Sequence, residues 1–309
     1  MKMKWALFTI IFTIATVLTG CDNPLMVLDP KGPAAQEQAN VIMISIWTMA
    51  IIVLTVIVLY VIMLVKYRAS KQSDDYEPPH IEGSKVLETI WVVIPIVIVI
   101  FLSVVTVKSL NTVEAKPEGY KNQEPLVIYA ASSNWKWHFS YPEEDIETVN
   151  YLFIPTNRPI EFKLYSYGPI SSFWIPQLGG QKYAMSDMVN TLHLAADAPG
   201  EYMGRNANFS GAGFAQHTFN VKAMPEAEYE EWVSDIKKTA KPITEDTFNK
   251  LLEPGHVGQS TYTGTHLDFS PAPEGEHAGH NHGSSDTEED HSEHEEHAEH
   301  EEHSEHNNH

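Results

Sequence analysis

The chain has 309 residues, with 41 Asp and Glu against 20 Lys and Arg, a formal net charge of −21. Such an acid excess excludes a nucleic-acid binder, which needs a basic face to displace counterions. The single cysteine excludes an intramolecular disulfide and any site in this chain that needs two thiolates. A mean hydropathy of −0.24 averages three apolar runs against one very polar tail. Glu274 to His309 holds 13 acids and no Lys or Arg, which leaves −8 on the rest.

In chain order, Met1-Lys2-Met3-Lys4 precedes an uncharged stretch from Trp5 to Leu18, then Leu18-Thr19-Gly20-Cys21. A short basic region, a brief apolar stretch and small residues before a cut are the marks of a secretory signal over residues 1–20. The Leu-Thr-Gly-Cys ending resembles the bacterial lipobox, which implies cleavage before Cys21 and a diacylglyceryl thioether on its sulfur. Val41 to Val65 is then a run of 25 residues without a charge, and Thr89 to Val107 a second of 19. At 1.5 Å per residue the first reaches roughly 38 Å, enough to span a bilayer with some tilt. Pro95 falls inside the second, where a bend is tolerated if neighbours satisfy the freed carbonyl. Lys66, Arg68, Lys71 and Lys85 lie between the runs and place this connector on the cytoplasmic side. Residues 21–115 therefore read as a lipidated N-terminus and a two-helix hairpin with both ends outside.

From about Pro125 the pattern changes to short apolar and aromatic runs separated by Pro and Gly. These are Leu126 to Ala131, Trp135 to Tyr141, Tyr151 to Pro155, Ile160 to Tyr165, Thr191 to Leu194 and Thr218 to Val221. Period two and regular turn signals predict an antiparallel sandwich or barrel over 116–224. Glu226 to Leu252 reads as helical, with Tyr229, Trp232, Val233 and Ile236 on one face, so 225–270 is expected to be a helical extension. From Pro271 the only aliphatic side chains are Ala272, Ala278 and Ala298, too few to bury a core, so 271–309 reads as a disordered tail.

A membrane hairpin followed by a cupredoxin-like sandwich resembles subunit II of heme–copper terminal oxidases. Leu87-Glu88-Thr89-Ile90-Trp91 with Pro95, Trp135-Lys136-Trp137-His138-Phe139, Ser172-Phe173-Trp174-Ile175-Pro176-Gln177-Leu178-Gly179 and Ala198-Pro199-Gly200-Glu201-Tyr202 are similar to that family's segments in order. In the cytochrome c branch the sandwich carries a dinuclear copper centre with two thiolates, two imidazoles, a thioether and a backbone carbonyl. Delocalising an electron over two coppers needs soft, covalent bridges. The resemblance puts Ser171 at the first imidazole position, Asn206 and Ser210 at the two thiolates, Asn208 at the carbonyl ligand and Phe214 at the second imidazole. The thioether position falls on Gln216 or His217, and His217 is read as a surface or strand residue. Asn, Ser and Phe cannot hold a mixed-valence copper pair.

This pattern resembles the quinol-oxidase branch. It implies a lipoprotein-type subunit II of a menaquinol oxidase that reduces O2 to water with proton pumping. The implied chain binds no cofactor itself. The hemes and one copper sit in subunit I, quinol is the substrate, and smaller membrane subunits complete the complex without cytochrome c. Glu88 matches a family residue at the mouth of a proton-conducting channel; it also suits the helix N-terminus as a plain dipole partner. Trp135 and Trp137 read as core and interface packing, and Arg158, Asp187 and Arg205 as candidates to face subunit I. In the tail, His291, His294, His297, His300, His303, His306 and His309 recur every third residue, after His277, His280 and His282. Weak chelation of Zn²⁺, Cu²⁺ or Ni²⁺, proton buffering and a plain solvated tail all suit that composition. The rival readings are a lipid-anchored metal-binding protein that works through this tail and a cytochrome c oxidase subunit II.

Overall fold

The computed structural model describes residues 25–68 and 83–274. The expected signal segment, Cys21, Lys71 and every tail histidine from His277 to His309 lie outside the described residues.

Two long helices come first, α1 (Pro33–Lys66) and α2 (Lys85–Glu114). Both run well beyond the uncharged stretches. Pro33 starts α1 at a position where its missing N–H costs nothing. Ser84 caps α2 by accepting the Leu87 N–H. Helix α2 continues unbroken across Pro95. The hydroxyls of Ser45, Thr48, Thr55, Thr89 and Thr106 bond the carbonyl four residues back, so each is satisfied within its own helix. The apolar side chains point outward, with Trp47 65 % and Leu54 61 % exposed. An apolar surface of that extent calls for lipid or other membrane helices.

The sandwich follows: β1 (Leu126–Ser133), β2 (Lys136–Tyr141), β3 (Ile146–Val149), β4 (Tyr151–Pro155), β5 (Pro159–Ser166), β6 (Ser171–Ile175), β7 (Gly179–Ala184), β8 (Asn190–Ala195), β9 (Gly200–Asn206) and β10 (Thr218–Met224). Then come α3 (Glu226–Thr239), β11 (Lys241–Pro242), α4 (Glu245–Leu252) and β12 (Ser260–Thr263). One sheet has the order β11-β12-β3-β2-β1-β5-β8, the other β4-β10-β9-β6-β7. Between them pack Trp137, Phe139, Phe162, Phe173 and Phe219, all buried, with neighbouring rings 5.0–6.5 Å apart. The expectation of an antiparallel sandwich needs correcting, because both sheets are mixed: β1 pairs β5 in parallel and β10 pairs β4 in parallel.

The extension is not wholly helical. Its expected helix stops at Thr239, where Lys241-Pro242 takes an extended conformation, and β12 adds an antiparallel strand beside β3. Proline offers no ladder donor and its ring opposes helix, so the break falls there. A buried polar cluster ties this segment down. The Nδ1 of His266 lies 2.6 and 2.8 Å from the two Glu147 carboxylate oxygens, and its backbone N–H donates to the same carboxylate at 2.9 Å. Ser140 donates to Glu147, Tyr165 meets the other His266 nitrogen, and Phe248 stacks flat on the imidazole at 4.4 Å.

The hairpin is joined to the sandwich backbone to backbone. The Lys31 N–H donates to the Gln177 carbonyl, Ala35 N–H to Leu178 and Asp197 N–H to Lys31. A Cβ on Gly32 would stand 2.1 Å from the Ala195 carbonyl oxygen, and Gly179, at φ +111°, abuts Ala34. The Lys182–Glu114 ion pair adds a clasp at 2.8 Å.

Candidate functional site

At the end of the sandwich away from that junction, the start of β6, the end of β9 and the loop 207–217 converge. Five of the positions named from the copper pattern meet here. Asn206, buried at the last place of β9, is the hub. Its carbonyl oxygen accepts the N–H groups of Ser172 at 2.8 Å and Asn208 at 2.9 Å. Its amide nitrogen donates to the Ser210 hydroxyl at 3.0 Å and to the Nδ1 of His217 at 3.1 Å. A carboxamide has two donors and two acceptor sites, and all four are used. Ser171, also buried, accepts from the Ser132 hydroxyl at 2.7 Å. The Asn208 side chain donates to the Ile170 carbonyl at 2.8 Å.

His217 is not a surface residue. It is 1 % exposed and stacks near Trp137, with ring centroids 5.2 Å apart. Its Nε2 lies 3.1 Å from the Lys136 carbonyl, an atom that can only accept, so the imidazole carries its hydrogen on Nε2 and receives the Asn206 amide on Nδ1. Burial pushes its pKa down to about 4, against a smaller upward pull from the Lys136 carbonyl. Reading from sequence missed this role because Asn206, Lys136 and Trp137 reach His217 from distant strands. The only local signal is an imidazole directly ahead of β10.

Phe214 does not join the network. It lies in a short 3₁₀ turn, 5.6 Å ring to ring from Phe209. Gln216 is exposed. Trp137 lies in the core, whereas Trp135 is half-buried against the loop. Its indole N–H donates to the Ser210 carbonyl at 2.9 Å, and a Cβ on Gly213 would meet its ring at 2.3 Å. Lys136 points the other way. Its ammonium donates to the Leu251 and Glu253 carbonyls at 2.7 and 2.5 Å, closing the C-terminus of α4, and burial lowers its pKa. Arg158 pairs with Glu226 and Glu143 of its own chain.

The donor set does not fit a binuclear copper centre. At the two positions that the resemblance gives to the soft bridges stand a hard amide and a hydroxyl, Asn206 and Ser210, bonded to each other. Among the described residues no three His, Cys, Asp or Glu side chains are grouped as a metal site. Glu88 sits in the first turn of α2, exposed, with its backbone N–H on the Ser84 carbonyl and its carboxylate folded back towards Gly83.

A two-helix membrane hairpin carrying a cupredoxin-like sandwich is the architecture of oxidase subunit II. The family model described as cytochrome c oxidase subunit II, transmembrane domain, matches residues 25–109. Relatives cover nearly the whole chain. Quinol oxidase subunit 2 of Bacillus anthracis is 45 % identical over 269 residues, 87 % of this chain and 92 % of that one. Its counterpart in Bacillus subtilis is 48 % identical over 268 residues, 86 % and 83 % of the two chains. The probable quinol oxidase subunit 2 of Staphylococcus saprophyticus is 45 % identical over 276 residues, 89 % and 72 %. The chain belongs to the quinol oxidase subunit 2 family. The solved periplasmic domain of subunit II of cytochrome oxidase of Bradyrhizobium japonicum matches 37 % of this chain and 94 % of its own at 22 % identity and TM-score 0.36, too distant to add to that assignment.

Proposed function

We propose that this chain is the non-redox subunit II of a proton-pumping heme–copper quinol oxidase, with menaquinol as donor and O2 reduced to water. It works with a heme-bearing subunit I that holds the hemes and one copper, and with smaller membrane subunits. The reading is carried by Asn206, whose amide spends three of its four hydrogen bonds on the loop where copper-bridging thiolates would lie and the fourth on Ser172 of β6. A loop so closed offers no route for one-electron exchange with cytochrome c, whereas a lipid-soluble two-electron donor needs none. The names of the relatives support the same donor class.

The test is purification from membranes in mild detergent. Heme should accompany the tagged chain, quinol but not reduced cytochrome c should drive O2 uptake, and paramagnetic resonance should show no binuclear copper signal. A heme-free preparation, or such a copper signal, overturns the proposal.

On this reading Cys21 carries the lipid anchor and Glu88 serves proton uptake at the cytoplasmic mouth of α2. An ionisable group at a membrane boundary, exposed and without an ion-pair partner among the described residues, is placed to collect protons. Glu88→Ala should lower turnover several-fold and steepen its fall at high pH, with Glu88→Asp largely restoring it. Unchanged turnover and pH profile would leave Glu88 as a dipole partner only.

A further inference from the structure

Where the hairpin meets the sandwich, β7 and β8 close against the outer ends of α1 and α2 around a cavity of about 150 Å³. Its walls are Gln38, Leu110, Val113, Lys182, Thr191 and His193, together with Glu114, which pairs with Lys182 at 2.8 Å. The two helices fix its depth. Leu110 stands three residues beyond Val107, the last of the uncharged run in α2, and Gln38 three before Val41, the first of the run in α1. At 1.5 Å per residue both lie about 4–5 Å outside the hydrocarbon, and Glu114 about 10 Å. The lipid headgroups fill a layer of about 5–8 Å at that height. Below the cavity, Val104, Val107 and Leu110 recur at every third position of α2 and are exposed. They make an apolar row that climbs from the hydrocarbon into the cavity wall.

The polar side of the cavity suits an anion. In a chain of net charge −21, Lys116, Lys163, Lys182 and His193 gather here, against Glu114 and Glu161. Lys163 meets Glu161 at 3.0 Å and Thr191 at 3.1 Å, and Lys116 donates to the Gln123 carbonyl. His193 is left over. Its Nδ1 is shut off from solvent without a hydrogen-bond partner among the described residues, with Glu161 Oε2 standing off at 3.9 Å. Burial lowers its pKa, Glu161 pulls it back up, and the ammonium groups of Lys163, Lys116 and Lys182 push it down again. A phosphate among these groups would take charge-assisted hydrogen bonds from the lysine and the imidazole and relieve their mutual repulsion.

We propose that this cavity seats the phosphate of an anionic phospholipid of the outer leaflet, with Lys182 and His193 on the headgroup and an acyl chain along Val104, Val107 and Leu110. The space admits a headgroup phosphate and is too small for a drug-sized ligand. A free phosphate would meet the same cations but leave the apolar row uncovered, so the row selects the lipid. Seated there, the lipid bridges α2 to the β7–β8 edge and sets the height of the sandwich on the bilayer. The proposal rests on the membrane placement in the reading above and not on its electron donor.

The experiment places the full oxidase in phosphatidylcholine nanodiscs that contain a small share of phosphatidylglycerol with a photoreactive diazirine in one acyl chain. After irradiation the label should concentrate on residues 104–113, and excess unlabelled phosphatidylglycerol should suppress it. Lys182→Gln should lower the label about fivefold or more, and Lys182→Arg should keep it. Glu114→Gln breaks the same ion pair but leaves the ammonium, and should keep the label as well. Label spread evenly over both helices, or not displaced by phosphatidylglycerol, overturns the proposal without recourse to any variant. An equal loss in Glu114→Gln and Lys182→Gln also overturns it, because the lysine then acts only as a clasp. Displacement by inorganic phosphate overturns the lipid as occupant. Heme retained by the tagged chain is counted alongside and tests the oxidase reading separately.

Discussion

At the scale of single residues, Asn206 and His217 carry the most consequence. Asn206→Ala would leave the Ser172 and Asn208 N–H groups and the His217 Nδ1 without partners in a buried place, and should cost about 2–4 kcal/mol, read as a lower melting temperature of the purified chain. His217 makes stability depend on pH in a definite direction. Its pKa falls from 6.5 when unfolded to about 4 when folded. Above 6.5 both states are neutral and stability is whole. From there down to 4 the unfolded chain takes up a proton that the folded chain refuses, so stability drains away as pH falls, by up to about 3 kcal/mol. His217→Gln can still accept from Asn206 and donate to Lys136, and should flatten that slope in denaturant titrations at pH 4 to 7. His138, fully buried and also pushed well down, keeps the remaining share.

At the scale of elements, the junction between hairpin and sandwich is closed by glycines. Gly32→Ala must move either α1 or the end of β8 off the Ala195 carbonyl, at about 1–3 kcal/mol, and should make the segment before α1 newly sensitive to protease. Strands with clear alternation were legible in the sequence: Tyr151–Pro155 spans the run expected of it, and Leu126, Pro159 and Thr218 begin strands at or beside their predicted starts. Strand β3 was not legible. A glutamate in its middle reads as a loop, and Glu147 is tolerated inside only because His266, 119 residues on, comes to meet it. Strands β7 and β9 hide for a related reason. Their glycines are there to admit Ala34 and the Phe219 ring, contacts that no local pattern announces. The extension was misread as helix because its helical face is real, while the pairing of β12 with β3 is long-range.

At the scale of the whole molecule, the hairpin-and-sandwich plan was readable, since it rests on residue types and order. How Asn206, Ser210 and His217 hold one another was not, because hydrogen bonds between distant strands and a loop leave no periodic trace. The Asn206 cluster has a bearing on how the exported domain matures. Every group that locks the loop 207–217 is made by the ribosome and arrives with the polypeptide. On the non-redox reading proposed above, the domain would settle into its final form as the strands pair, with no waiting for a chaperone to deliver cargo and no sulfurs to be kept reduced until it comes.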